Sequence, residues 1–199
     1  MTEVVQHEPE AARAARRKRC DDLLAGKLQS LEFVTDLDLH NLQLGDAEMS
    51  RVFDRIESAL GIVALRIGFN VLREGAMRAL AQSRLSERLE TLDLTGNALG
   101  GAGVAALCEG RFPRLRELSL GWCRLGDGAV VPLAASASMP ALRELTLRRN
   151  ELGDEGALTL AASTALRAQL TRLSFDYNDD VTRRGMARLR DAYGDALVD

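Results

Sequence analysis

Aromatic side chains are scarce in this chain: five Phe, two Tyr and one Trp among 199 residues. A core so short of rings must be filled by aliphatic groups, and 34 Leu with 28 Ala supply them. Lysine is nearly missing too, with Lys18 and Lys27 set against 24 Arg. That bias, together with the alanine, matches coding in a GC-rich, bacterial genome (a matter of codon use, not of physics). Cys20, Cys108 and Cys123 are odd in number and far apart, which argues against a disulfide framework and a cysteine metal site. No apolar run nears the roughly 18 residues of a membrane span. The segment from Met1 to Pro9 has no basic stretch leading into an apolar one, so no secretory signal is expected and a cytoplasmic location follows by default. Net charge is −3 and the isoelectric point about 5.6, which leaves no electrostatic footprint for nucleic acid.

What the chain does have is a repeat. From residue 34 onward one pattern recurs: aliphatic-x-x-aliphatic-x-aliphatic-x-x-Asn/Cys-x-aliphatic. The clearest copy is Leu89-Glu-Thr-Leu92-Asp-Leu94-Thr-Gly-Asn97-Ala-Leu99. Counterparts of Leu92-x-Leu94 are Leu37-x-Leu39, Leu65-x-Ile67, Leu118-x-Leu120, Leu145-x-Leu147 and Leu173-x-Phe175. The Asn/Cys slot falls at 42, 70, 97, 123, 150 and 178, so the period stays between 26 and 28 residues. Period-two alternation places each pair on one face of a short strand. An Asn after the strand can bond backbone groups where the chain bends away, and a thiol such as Cys123 is a weaker donor of similar size. Leu44-Gly45-Asp46, Leu125-Gly126-Asp127 and Leu152-Gly153-Asp154 then read as turns with aspartate capping the helix that follows. Small residues such as Ala105, Ala134 and Ala161 let those helices approach the sheet.

These motifs resemble the leucine-rich repeat, and its ribonuclease-inhibitor-like subclass in particular, over residues 34–193. The resemblance implies an α/β fold: a curved solenoid with parallel strands on the concave face and helices on the convex face. One unit cannot bury its own apolar faces, so stacking supplies the core. Leu42 stands in the first Asn slot and Asp180 in the last aliphatic slot, departures expected of terminal repeats. The organisation expected is a flexible N-terminus (1–8), a capping helix (9–31), six repeats of about 27 residues (32–193) and a short C-terminal tail (194–199). The cap carries Ala12, Ala15, Cys20, Leu24, Leu28 and Leu31 in one stripe. Its basic run Arg13, Arg16, Arg17, Lys18 and Arg19 is balanced by Glu3, Glu8, Glu10, Asp21 and Asp22, which reads as a solvated helix face.

Catalytic groupings are thin. His7 and His40 are the histidines, and no Ser or Cys sits in a nucleophile motif. Asp36, Asp38 and His40 alternate on one strand, a possible metal or proton-transfer group, yet polar residues are also what a solvated concave strand requires. Thr95 to Gly103 is glycine-rich but lacks the Lys-Ser/Thr of a phosphate loop. The expectation is therefore no enzyme, no cofactor, no metal and no small-molecule substrate.

The surface carries the remaining information. Between the paired aliphatics lie Asp38, Arg66, Asp93, Ser119, Thr146 and Ser174, and just after them His40, Gly68, Thr95, Gly121, Arg148 and Asp176. The next row, at the lip where strand becomes loop, is Asn41, Phe69, Gly96, Trp122, Arg149 and Tyr177. That row holds three of the eight rings, and Trp, Tyr and Arg are the side chains enriched at binding hot spots. Two readings compete: rings open to a partner, or rings packed over neighbouring loops. The site expected for a protein partner is Phe69, Trp122, Arg148, Arg149 and Tyr177, with Arg66 and Asp93. Two other roles stay open, a regulator of a small GTPase resembling Ran GTPase-activating proteins and a structural subunit of a larger assembly.

Overall fold

The computed structural model describes residues 9–27, 31 and 33–198. Each repeat contributes a three-residue strand: β1 Asp36–Asp38, β2 Ala64–Arg66, β3 Thr91–Asp93, β4 Glu117–Ser119, β5 Glu144–Thr146 and β6 Arg172–Ser174. The strands form one parallel sheet in chain order, and its register aligns Leu37, Leu65, Leu92, Leu118, Leu145 and Leu173. Both aliphatics of every pair are at most 1% exposed, so the inward face of the sheet is wholly apolar. Helices return the chain from strand to strand: α2 Asp46–Ile56, α3 Glu74–Gln82, α4 Gly100–Cys108, α5 Val130–Ala135, α6 Asp154–Ala162 with α7 Thr164–Gln169, and α8 Arg183–Tyr193. The product is the α/β curved solenoid of parallel strands backed by helices.

Side-chain bonds join each repeat to its neighbour. Asn70 accepts from the backbone N–H groups of Leu42 and Leu44 in the preceding repeat (3.1 and 3.0 Å) and donates to the carbonyls of Leu39 and Ile67 (3.0 Å each). Asn150 accepts from Cys123 N–H at 2.7 Å and donates to Leu120 and Leu147. Asn97 and Asn178 repeat the pattern. In the fourth repeat the Cys123 thiol still donates to the Leu94 and Gly121 carbonyls, at 3.3 and 3.4 Å.

The aspartates after the strands do not cap their own helices. Asp46 and Asp154 are the first helical residues of α2 and α6, and their carboxylates face the next repeat. Asp46 accepts from the Arg73 and Gly75 N–H groups, Asp127 from Gly153, and Asp154 from Thr182. A carboxylate is well placed there because the opening turn of the neighbouring helix has unpaired N–H donors. Sequence spacing could not show this, since the donors lie a whole repeat away.

Both ends differ from expectation. The cap helix, α1 Glu10–Leu24, stops seven residues before residue 31. Gly26 adopts φ +80°, its N–H bonds to Leu23 and that of Lys27 to Asp22, a closure that terminates the helix. Its buried side chains are Arg16, Cys20 and Leu23, whereas Ala15 is exposed and Leu28 lies outside the described residues. Arg16 therefore leaves the solvated face to which its basic run assigned it: its Nε donates to the His40 carbonyl at 3.1 Å. At the other end, residues 194–198 are no free tail. Gly194–Ala196 form a turn, and Leu197–Val198 form β7, which pairs with β6 because Leu197 stands in register with Leu173 at the open end of the core. Tyr193 anchors this end by donating its hydroxyl to the Leu160 carbonyl at 2.9 Å.

Asn150→Ala leaves the Leu120 carbonyl and the Cys123 N–H unpaired and buried, while the Leu147 carbonyl keeps its bond from Asn178, so urea unfolding will report a loss of about 2 kcal/mol or more. Burial pushes the Cys123 thiol up from 9.0 to about 12, so iodoacetamide at pH 8 spares it in the native chain and modifies it in urea, as mass spectrometry will show. Because the folded thiol keeps its proton after the unfolded one has lost it, its contribution is intact below pH 9 and is lost as pH rises toward 12.

Candidate interaction surface

The lip row is built by the backbone. Past the strands the ladder continues: the N–H of Asn41 bonds to Gly68, Phe69 to Thr95, Gly96 to Gly121, Trp122 to Arg148 and Arg149 to Asp176. The chain must then turn sharply so that the Asn or Cys side chain enters the core. All six row residues make that turn in the left-handed region, with φ between +53° and +59° at Phe69, Trp122, Arg149, Tyr177 and Asn41, and +75° at Gly96. Only one of the six is glycine, although a Cβ costs ~1–2 kcal/mol in that conformation. The turn tips each side chain outward, and Phe69, Trp122 and Tyr177 remain 49%, 41% and 55% exposed.

Exposure and packing coexist along the row. The Arg149 guanidinium lies 4.5 Å from the Trp122 ring centroid and 4.4 Å from that of Tyr177, so both of its faces are covered. Arg148 reaches the Tyr177 ring at 5.3 Å and pairs with Asp176 at 3.4 Å. The spacing follows from the fold, since parallel strands about 4.8 Å apart carry successive side chains at stacking distance. Phe69 leans over Gly96, where an added Cβ would stand 2.6 Å from its ring.

Towards the N-terminal end the concave face is ionic. Arg66 donates to both carboxylate oxygens of Asp36 at 3.0–3.1 Å, which holds its own guanidinium above the ordinary range. Asp38 accepts from the His40 N–H and lies 2.6 Å from His40 Nδ1, while Arg16 approaches it from α1 at 3.7 Å. Asp36, Asp38, His40 and Arg66 line a shallow depression with Phe69 and Asp93. Among the described residues no group of three His, Cys, Asp or Glu side chains is placed to hold a metal ion. Of the expected site residues, then, Trp122, Arg148, Arg149 and Tyr177 form one cluster, and Arg66, Phe69 and Asp93 line a second.

A further concave row was missed. The residue before the first aliphatic of each pair shares the outward face, and Glu117, Glu144 and Arg172 in that row are exposed. The same period-two rule that picked out Arg66 and Asp93 would have found them.

With strands, asparagine ladder and lip in place, the fold class is defined: an α/β solenoid that carries leucine-rich repeats. The Leucine Rich repeat family model matches residues 88–108, 114–134 and 138–161. The repeats are of the ribonuclease-inhibitor-like kind, and Sus scrofa ribonuclease inhibitor is 32% identical over 123 residues, 59% of this chain and 27% of that protein. The chain thus spans about a quarter of that relative's length. Among solved structures, a chain of the Rad7 and Elc1 complex in yeast is 20% identical, with a TM-score of 0.45, over 75% of this chain and 37% of its own. The leiomodin-1 actin-binding site 2 is 11% identical, with a TM-score of 0.49, over 90% and 87%. Among the described residues no helix is long and apolar enough to cross a membrane.

Gly96→Ala tests the lip. The new Cβ meets both the left-handed backbone and the Phe69 ring, and urea unfolding will show a loss of about 1–2 kcal/mol.

Proposed function

We propose that this chain is a non-enzymatic protein-interaction module that holds one protein partner against its lip and concave face, in the cytoplasm. The observation that carries the reading is the row of half-exposed rings kept in left-handed backbone. Leucine-rich repeats commonly mediate protein–protein contacts, and a solenoid offers an extended concave surface for them. Strained backbone concentrates where function holds it in place, and three large rings in one strained row, two of them beside a cation, form a hot-spot composition. Three unpaired thiols suit a reducing compartment.

The test is capture from lysate of the source cells on the immobilised chain, with bound proteins quantified by mass spectrometry. Wild type is compared with Phe69→Ala, Trp122→Ala and Arg149→Ala, and with Leu158→Ala on α6 as a control outside the lip. A protein captured by wild type and by the control, and lost about tenfold or more from the lip variants, supports the reading. If all three lip variants keep their circular dichroism and capture as wild type does, the surface is wrongly assigned.

A further inference from the structure

Resting on that reading, the arginines of the surface separate by what satisfies them. Arg66 is spent on Asp36 and Arg148 on Asp176. Arg149 is fixed by rings on both faces, and among the described residues its guanidinium makes no hydrogen bond or ion pair. Stacking removes water from the two faces and leaves one thing exposed, the in-plane fork of N–H donors. That fork matches the two oxygens of a carboxylate. Its position is also fixed before anything binds, so less side-chain entropy is lost on association than for a free arginine.

We propose that Arg149 is the receptor for an acidic side chain, Asp or Glu, on an extended segment of the protein partner. The surroundings select a singly charged group. Glu151 and Asp179, each two residues past the lip, are exposed and Asp176 already pairs with Arg148, which leaves Arg124 as the one further arginine within two residues of the row, where a doubly charged phosphoryl group calls for a fuller cluster. The segment's direction follows from the row. Phe69 stands three strand spacings from Arg149, about 14 Å, which an extended chain covers in about four residues. Side chains four apart in such a segment point the same way. The acidic residue on Arg149 therefore carries an apolar residue four positions away to the half-exposed Phe69 and Val71.

The experiment pans a phage-displayed library of random 12-residue peptides against the immobilised full chain at moderate salt. The expected result is enrichment of sequences with Asp or Glu four residues from an apolar side chain. A synthetic peptide of that kind should bind Arg149→Gln at least about tenfold more weakly, and Arg149→Lys more weakly too, since a lysine has no planar fork. Changing the peptide's Glu to Gln should cost the same factor in wild type and nothing further in Arg149→Gln. Circular dichroism and thermal unfolding establish that both variants are folded. Peptides that lack acidic enrichment and bind Arg149→Gln as wild type overturn the inference. If their binding is lost in Trp122→Ala, the lip reading survives without it. Tighter binding when phosphoserine replaces the Glu overturns the carboxylate assignment in favour of phosphate. A library with no enrichment over bare resin also overturns it, and the lysate capture then decides the lip reading by itself.

Discussion

The asparagine that reaches back into the preceding repeat is the contact on which the rest of this molecule depends. Where each strand ends, the chain must leave the sheet, and the backbone groups beneath the bend would otherwise be buried without partners. Asn70, Asn97, Asn150 and Asn178 fill that space, each bonding its own repeat and the one before it. Because the amide spans two repeats, it sets their separation and register together. The leucine pairs then superimpose into one core, and the residues outside the bend superimpose into one row. A surface in which Trp122, Arg149 and Tyr177 stack at 4.4–4.5 Å is a by-product of that register.

Much of this was legible in the chain. The slots at 70, 97, 150 and 178 and the alternating aliphatics carry the architecture, because a repeat with a constant period leaves few ways to stack. The rows of the concave face follow from the same period, so Phe69, Trp122 and Tyr177 could be placed together before their environment was known. Features that depend on contacts between repeats were not legible. The carboxylates of Asp46, Asp127 and Asp154 turn away from their own helices, and only the neighbour's position explains it. Arg16 belongs to a basic run by sequence, yet it sits inside because the first repeat offers it a carbonyl and a carboxylate. Leu197 follows an acidic, unpromising stretch, and its role comes from the open end of the core. Gly26 was a signal in plain view: a glycine just past a helical stripe is a stop, and the apolar Leu28 and Leu31 beyond it outweighed it.

Whether the lip was open or packed could not be settled by pattern alone, and the structure makes it both. A ring that is half exposed loses less conformational freedom on meeting a partner if its neighbours already hold it. The fold supplies that restraint by two means, the left-handed turn that fixes each Cα–Cβ direction and the cation set between rings. The N-terminal end of the face works differently, since its charges are already paired with one another around Arg66 and Asp38.

The thiol that stands in the amide slot at Cys123 sits at the middle of the concave face. Among the described residues the third and fourth repeats are joined by no asparagine and no bridging aspartate, since Gly101 stands in the slot that Asp46, Asp127 and Asp154 fill in the first, fourth and fifth repeats. Backbone pairing, leucine contacts and the Cys123 sulfur, which meets the Leu94 carbonyl and the Gly96 and Asn97 backbone, hold that joint, and α5 beyond it is six residues long. Across the other joints between the described strands β1 to β6 an asparagine amide makes this link, and here sulfur stands in for it. The joint lies between Phe69, Arg66 and Asp93 on one side and Trp122, Arg149 and Tyr177 on the other, so the two halves of the face are registered to each other through backbone pairing and sulfur, and each half within itself through amides.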